Sequence, residues 1–373
     1  MYQNKKDLSV FIGRFSPLHN GHCAVIDKAI STSKSVLILI GSSDKALTTK
    51  NPFSFKDRAF MIRSYLLAKY GVSMTNVIIK PLHDHMYNDQ AWIRGVQDAV
   101  DEAKSELANI IGLNPTVYLT GANRDQSTWY LNAFGDTFTK SLVNADDHDF
   151  NLSATTVREL LFKSTDKKAQ DATFDKLSKI VPGTTLQLLK NFVGSTTFDG
   201  LVKEFQYLEN YKKKFAGLEY PVSIQTVDTC VIQSGHVLVA IRDNFPGRGL
   251  WCMPGGHLDV DKNERLVDAA IRELDEETNI GLSRAQLYGS IKFKECFDHP
   301  DRSLKARVIT MCYLLKLDDT KPMPTIKPQR GEIKKLMWLP IAEALANRNR
   351  DKWFDDHREM LETMYNRIGS ISN

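Results

Sequence analysis

The sequence predicts an α/β protein of two domains, a parallel-sheet domain followed by an α+β domain. Three observations support this. The chain has 373 residues, more than one ordinary domain needs. In its first half, short apolar runs alternate with helical stretches. In its last third, strand-like segments surround one strong helix.

The apolar runs of the first half predict strands buried on both faces, because they lack the alternation of a half-exposed strand. A helical stretch follows each of the first three runs, so we expect a parallel sheet with right-handed crossovers. The expected strands are 8–13, 35–41, 76–80 and 116–121, and the expected helices are 22–33, 57–68 and 91–107.

After about residue 157 the sequence becomes helical and charged, and residues 184–218 have the texture of one connecting helix. We therefore expect a first domain at 1–183, a helical linker at 184–219 and a second domain at 220–373. The second domain is expected to contain strands at 224–233, 236–242, 287–296 and 307–316, a helix at 264–278 and a last helix at 352–367.

Charge and cysteine usage exclude several classes of protein. The net charge of +4 suits anionic small molecules but provides no basic stripe for a nucleic-acid partner. Five widely spaced cysteines without a Cys-x-x-Cys motif indicate reduced thiols. We find no signal-peptide pattern and no long apolar stretch, so we expect a cytoplasmic protein without a membrane partner.

The first predicted strand runs into the segment Gly-Arg-Phe-Ser-Pro-Leu-His-Asn-Gly-His at 13–22. A helix that starts here offers unpaired N–H groups and a positive dipole end, which suit phosphate. Gly21 lets the backbone approach a ligand closely. His19 and His22 can donate hydrogen bonds to phosphate oxygens as charge builds up on a leaving pyrophosphate. On spacing alone, two histidines near a helix start also fit a capping role.

The pattern Gly-x-Phe-x-Pro-x-His-x-Gly-His resembles the signature of the nucleotidyltransferase superfamily. A second superfamily signature, Ile-Ser-Ser-Thr-x-Ile-Arg, is matched at 152–158 except that Ala154 replaces a serine. Ser153, with Thr155 or Thr156, is also expected to cap the next helix. The resemblance implies a Rossmann-like nucleotidyltransferase domain with catalytic His19, His22 and Arg158. The residues implied to bind ATP or its phosphates are Gly13, Arg14, Phe15, Gly21, Lys50, Ser153, Thr155 and Thr156.

Segments 50–58, 81–92 and 121–131, with Arg14, are similar to archaeal-type nicotinamide mononucleotide adenylyltransferases. That resemblance implies that Asp84 meets the carboxamide and that Trp92 stacks on the cationic nicotinamide ring. Considered alone, Trp92 fits a core aromatic better. The reaction implied is that of ATP with nicotinamide mononucleotide to give NAD and pyrophosphate, with Mg²⁺ on the triphosphate.

The strongest catalytic pattern is Arg-Glu-Leu-Asp-Glu-Glu-Thr-Asn-Ile at 272–280. Glu273, Glu276 and Glu277 are spaced i, i+3 and i+4, so they share one helix face. Hard oxygen ligands at that spacing suit Mg²⁺ bound together with a diphosphate. The alternative is a solvated acidic face, against which the preceding Met-Pro-Gly-Gly turn and Glu264 argue.

These residues resemble the Nudix box, Gly-x5-Glu-x7-Arg-Glu-U-x-Glu-Glu-x-Gly-U, where U is a bulky apolar residue. Seven residues instead of five follow the box glycine, and Asn279 replaces the last glycine, although asparagine tolerates a left-handed helix end. The resemblance implies an α+β Nudix domain that hydrolyses a nucleoside diphosphate derivative, ADP-ribose first, with Mg²⁺, or Mn²⁺ as the alternative. The implied box residues are Gly256, Glu264, Arg272, Glu273, Glu276 and Glu277, of which the last three are the metal ligands and Glu273 is catalytic.

Residues 297–303 and 307–310 resemble the Nudix half of bifunctional bacterial and phage proteins that carry both activities. Glu332 fits a late loop in which a further glutamate serves as ligand or base. Two alternatives remain: transfer to pantetheine phosphate or flavin mononucleotide, against which 84–92 argues, and a Nudix-like nucleotide sensor, against which the intact box carboxylates argue. A homo-oligomer is compatible with the sequence, and communication between the sites is left open.

Overall fold

The computed structural model describes residues 5–71, 75–122, 130–143, 153–328 and 331–371. The chain divides into two compact units, Met1–Lys203 and Glu204–Asn373. This division falls inside the segment 184–219 that we expected to be a linker. Among the described residues, no helix combines the length and apolar character that a membrane crossing requires.

The N-terminal unit contains a parallel sheet with the strand order β3-β2-β1-β4-β5. Its strands are β1 (Lys6–Gly13), β2 (Ser33–Ile40), β3 (Val77–Pro81), β4 (Val117–Ala122) and β5 (Thr139–Val143). All four neighbouring pairs are parallel, which confirms the prediction. We did not predict β5, because its sequence Thr-Lys-Ser-Leu-Val is that of a largely polar edge strand.

Helices connect these strands and continue beyond the sheet. They are α1 (Asn20–Thr32), α2 (Phe55–Tyr70), α3 (Asp89–Ile111), α4 (Ala154–Lys163), α5 (Lys167–Leu177), α6 (Gly183–Val193) and α7 (Thr196–Lys213). The expectation of one connecting helix at 184–218 was wrong. Helix α6 ends before Gly194, because glycine has a low propensity for helix. The Ser195 hydroxyl then donates a hydrogen bond to the Phe192 carbonyl at 2.7 Å.

One apolar core cluster of the N-terminal unit lies between the sheet and α3. The buried positions of α3, such as Val96, Val100 and Ala103, recur at helical spacing and therefore form one apolar stripe. They pack against Leu8 and Leu37, which are fully buried. Because the strands are parallel, the carboxyl ends of β1 and β2 lie side by side and the loops that follow them meet at one edge of the sheet.

The C-terminal unit is a mixed sheet with helices. Its strands are β6 (Ser223–Gln233), β7 (His236–Arg242), β8 (Trp251–Cys252), β9 (Gly255–His257), β10 (Ile291–Phe297), β11 (Arg307–Lys316) and β12 (Ile333–Pro340). Its helices are α8 (Leu266–Thr278), α9 (Arg284–Ser290), α10 (Ile341–Ala344) and α11 (His357–Ile371). The expected strand at 287–296 begins only at Ile291, because a capping box of Ser283 and Gln286 starts α9.

Helix α8 separates an apolar face from an acidic one. Ala269, Ala270, Ile271 and Leu274 are fully buried and belong to the core of this unit. The helix ends at Asn279, whose φ of 42° and ψ of 50° are left-handed, so asparagine does replace the usual glycine here. The apolar face thereby fixes α8 on the sheet and directs the glutamates of the opposite face toward β9.

Candidate active sites

The loop after β1 brings His19 and His22 together. Their rings stack with centroids 3.7 Å apart and planes inclined by 27°. The His19 backbone N–H donates to Nδ1 of His22 at 3.4 Å. If Nδ1 accepts, the proton of a neutral imidazole lies on Nε2, so His22 presents an N–H donor at the start of α1.

Phe15 supports His22 from the interior. Its ring is fully buried, 4.9 Å from the His22 ring, and its φ is 50°. A Cβ at Gly13 would lie 2.9 Å from Cζ of Phe15, so only glycine leaves room for this ring. Phe15, which we expected among the phosphate-binding residues, thus has its side chain beneath the histidines, and only its backbone is available to a nucleotide.

Arg58 holds this loop to the next one, a role that sequence analysis missed. Its guanidinium is 1% exposed and donates to the carbonyls of Arg14 at 2.9 Å, Gly41 at 2.7 Å and Ser42 at 2.9 Å. Phe15 and Ser42 both have positive φ, a strained conformation for residues other than glycine. Burial lowers the pKa of Arg58 to about 10, so it remains charged at neutral pH.

The two expected nicotinamide residues differ in their surroundings. The Asp84 carboxylate accepts a hydrogen bond from the Ser42 backbone N–H at 3.1 Å, which connects it to the loop held by Arg58. Trp92 is half-buried in α3 and packs against the core, with its ring 6.4 Å from Tyr130 and 6.2 Å from Phe134. Lys50 is half-buried. Residues 123–129 of the third family-like segment lie outside the described residues.

Helix α4 carries the second signature. Its cap is confirmed, because the Ser153 hydroxyl accepts from the Thr156 N–H at 3.1 Å. Arg158 is 7% exposed and donates to the Ser16 carbonyl at 2.7 Å and to Thr155 Oγ1 at 3.0 Å. Burial lowers its pKa to about 10, which leaves it charged at neutral pH. The structure therefore brings Arg158 to the loop that carries the two histidines.

In the C-terminal unit, Arg272 is the centre of an ion-pair network. It donates to Glu264 through Nε at 3.0 Å and Nη2 at 2.7 Å, and through Nη1 to Glu273 and Glu276, both at 2.9 Å. This hydrogen bonding lowers the pKa of Glu264. The two extra residues before Glu264 are accommodated by a 3₁₀ turn at Val260–Lys262, so the longer loop keeps Glu264 on Arg272.

Glu277 is a buried carboxylate outside this network. It is 7% exposed and accepts a hydrogen bond from the Gly255 N–H at 3.0 Å. Burial raises the pKa of Glu277 to about 8, and the charges of Glu273 and Glu332 act in the same direction. A side chain at Gly256 would meet the Glu273 carboxylate at 2.6 Å, which explains the glycine in the preceding turn.

These carboxylates surround one cavity. Its lining residues are Gly256, His257, Glu273, Glu276, Glu277 and Glu332. Within the described part of the chain, no three acidic, histidine or cysteine side chains are gathered closely enough to form a metal-ligand set, and Glu273 and Glu276 pair with Arg272 instead. The carboxylate oxygens are nevertheless the donors that a hard divalent cation requires.

Comparisons with known proteins identify a family for each half of the chain. A cytidylyltransferase-like family model matches residues 10–160, and a NUDIX domain model matches residues 223–364. The crystal structure of a bifunctional NMN adenylyltransferase/ADP ribose pyrophosphatase from Francisella tularensis, complexed with AMP and Mn ion, is 31% identical, with a TM-score of 0.81. The match covers 97% of this chain and 99% of that chain. The chain belongs to this bifunctional family.

Two further relatives of this family member are adenylyltransferases. The nicotinamide/nicotinic acid mononucleotide adenylyltransferase of Acinetobacter baylyi is 30% identical over 204 residues, 54% of this chain and 95% of that protein. The nicotinamide-nucleotide adenylyltransferase of Sulfurisphaera tokodaii is 37% identical over 89 residues, 24% of this chain and 51% of that protein. Both resemblances inferred from the sequence, to an adenylyltransferase and to a Nudix hydrolase, are thereby confirmed.

Replacing Arg58 by methionine should destabilise the N-terminal unit, because three buried carbonyls lose their donor at a cost of about 1–3 kcal/mol each. We expect the melting temperature of this unit to fall by about 5 °C or more in calorimetry. Arg63→Met, on the exposed side of the same helix, is the matched control and should leave it unchanged. Equal melting temperatures for the two variants would show that the Arg58 contacts contribute nothing.

Glu277→Gln should stabilise the metal-free protein at high pH. The pKa of Glu277 is raised from 4.5 to about 8, so the folded state favours the protonated carboxyl. The stability that depends on the protonated Glu277 carboxyl is fully present below about pH 4.5 and is lost as the pH rises through about 8. In EDTA, the variant should therefore match the wild type near pH 5 and melt at a higher temperature near pH 9.

The matched control for this prediction is Glu276→Gln, since the Glu276 side chain is half-exposed and already paired with Arg272. The difference in melting temperature between Glu276→Gln and the wild type should not be larger near pH 9 than near pH 5. A lower melting temperature of Glu277→Gln at high pH would indicate that the ionised carboxylate stabilises the empty site.

Proposed function

We propose that the N-terminal unit transfers the adenylyl group of ATP to nicotinamide mononucleotide, releasing NAD and pyrophosphate. We further propose that the C-terminal unit hydrolyses ADP-ribose to AMP and ribose 5-phosphate. The observation that carries the first proposal is the stacked pair of His19 and His22 at the start of α1, next to Arg158. The second rests on the four glutamates that line one cavity, of which Glu273 accepts a hydrogen bond from Arg272.

In adenylyl transfer, a phosphate oxygen of nicotinamide mononucleotide attacks the α-phosphorus of ATP in line. A P–O bond forms there as the bond to the β-phosphate bridging oxygen breaks, and the electron pair leaves with pyrophosphate. His22 can donate its Nε2 proton in a hydrogen bond to the phosphate oxygens, and Arg158 adds a fixed positive charge. No covalent intermediate with the protein is required, so catalysis is positioning and charge stabilisation.

The remaining N-terminal residues are proposed to bind the two substrates. Asp84 and Trp92 contact the nicotinamide end, and Arg14 and Lys50 contact phosphate groups of ATP. The backbone positions and hydroxyls proposed to complete the phosphate site are Gly13, Phe15, Gly21, Ser153, Thr155 and Thr156. We propose Mg²⁺ as the cation that accompanies the triphosphate.

In hydrolysis, Glu273, Glu276 and Glu277 would hold a divalent cation, with Mg²⁺ as the proposed metal and Mn²⁺ as the alternative. When bound, such a cation polarises the diphosphate and acidifies the attacking water. Arg272 orients Glu273 through the 2.9 Å bond. One carboxylate of the cavity accepts the water proton while the water oxygen bonds to phosphorus and the P–O–P bridge breaks. Glu332 lines the same cavity and is available for this role.

Crossed variants of the full-length protein test the assignment of each activity to its unit. His22→Ala should lower NAD synthesis about 100-fold or more, because one donor to the developing charge is lost, and leave ADP-ribose hydrolysis unchanged. Glu277→Gln should abolish hydrolysis and leave NAD synthesis unchanged. Products from ATP with nicotinamide mononucleotide, and from ADP-ribose, are separated by chromatography. Near wild-type NAD synthesis in His22→Ala would refute the first assignment, and retained hydrolysis in Glu277→Gln the second.

Trp92→Ala tests the nicotinamide site. Loss of stacking on the pyridinium, worth roughly 1–2 kcal/mol, should raise the KM for nicotinamide mononucleotide about 5- to 30-fold and leave that for ATP within twofold. Because Trp92 also packs against Tyr130 and Phe134, Trp92→Phe serves as the control that keeps an aromatic face. Equal rises of both KM values would return Trp92 to a purely structural role.

A further inference from the structure

The loop between β10 and β11 carries the family-like segment 297–303, which has no role in the proposed hydrolysis. It is fixed to the start of α11 by an ion pair between Arg302 and Asp356. Nε and Nη2 of Arg302 donate to the two carboxylate oxygens at 2.9 and 3.0 Å, and the side chains are 6% and 0% exposed. A bidentate, buried pair of this kind determines where the following residues of the loop lie.

Lys305 follows in this loop and is half-buried. Within the described part of the chain, its ammonium group has no carboxylate within ion-pair distance and donates no hydrogen bond, and its recorded neighbour is the ring of Tyr211, whose centroid lies 5.5 Å away. Burial, and next the charge of Arg242, lower the pKa of Lys305, while the charges of Asp355 and Glu332 act in the opposite direction. A partly buried cation without a partner is costly unless an anion binds to it.

The charge of this ammonium group acts on residues that line the cavity of the glutamates. His257 and Glu332 line that cavity. The pKa of His257 is lowered first by burial and then by the charge of Lys305, and Glu332 in turn raises the pKa of Lys305. A cationic side chain therefore interacts electrostatically with an acidic cavity, and no ion pair joins the two among the described residues.

Tyr211 belongs to α7, which lies before the residues matched by the NUDIX domain model. The C-terminal part of α7 is anchored in this unit, because the Glu204 carboxylate, 4% exposed, accepts a hydrogen bond from the Gly247 N–H at 2.9 Å. Glu204, the buried Leu208 and Tyr211 are spaced i, i+4 and i+7 and so lie on one helix face. Two turns after the anchor, that face brings Tyr211 to Lys305.

We propose that Lys305 binds the diphosphate of the nucleotide substrate and that Tyr211 of α7 positions it, so that the end of the connecting helix belongs to the hydrolytic site. The proposal rests on the proposed hydrolysis of ADP-ribose. The glutamates are suited to a cation and cannot themselves bind a phosphoryl oxygen, whereas Lys305 can pair with one directly. The Tyr211 ring lies over the ammonium and holds it by a cation–π contact while excluding water.

Steady-state kinetics of the full-length protein test this. Lys305→Met should raise the KM for ADP-ribose about tenfold or more, the effect of one charged hydrogen bond to phosphate, with kcat lowered less than about threefold. Lys292→Met, an exposed lysine of β10, is the matched control and should change neither value. Tyr211→Leu should raise KM about threefold, and Tyr211→Phe should restore it because the ring face is kept.

The outcomes separate the subsite from the function on which it rests. A wild-type protein that does not hydrolyse ADP-ribose with Mg²⁺ or Mn²⁺ would refute the proposed function. An active wild type with an unchanged KM in Lys305→Met, or with a loss in kcat alone, would overturn the subsite. NAD synthesis by each variant reports folding of the chain. If Lys305→Met is unstable, the comparison of Tyr211→Leu with Tyr211→Phe decides, since equal KM values would refute the role of the ring.

Discussion

The hydrogen bonds from Arg58 to the carbonyls of Arg14, Gly41 and Ser42 determine the shape of the sheet edge on which the adenylyltransferase site is built. Two loops meet there with left-handed residues, Phe15 and Ser42, whose backbone would relax elsewhere if nothing held it. One guanidinium offers enough donors in a fixed plane to hold both loops at once, which an ammonium group does not. The positions of the histidine pair and of Asp84 therefore depend on the two loops that Arg58 holds.

A second guanidinium has the opposite task in the hydrolytic site. Arg272 binds carboxylates rather than carbonyls, and it keeps Glu264, Glu273 and Glu276 from repelling one another. Glu264 is held by two bonds and serves as the fixed end of the network. Glu273 and Glu276 share a single Nη1, so their contacts are the ones that a bound cation can replace. The same type of side chain thus gives rigidity in one unit and an exchangeable arrangement in the other.

The sequence predicts the parallel sheet well because β1 and β2 are apolar on both faces. It predicts the glutamate helix because the acidic and the apolar positions fall on different faces of a helix. It fails where local signals are weak, as in the polar edge strand β5 and at Gly194, where one expected helix becomes two. The contacts of Arg58 and Lys305 were missed for another reason. Their partners lie on other elements, and no spacing along the chain indicates a contact between distant segments.

Each unit contains its own apolar core, and the clusters around Leu37 and around Leu274 have no residue in common. A mutation inside one of these clusters therefore removes no residue from the other cluster. Selection can then act on the two activities one at a time, although a single gene encodes them. A lineage that no longer needs one reaction can lose it by drift and still inherit the other intact.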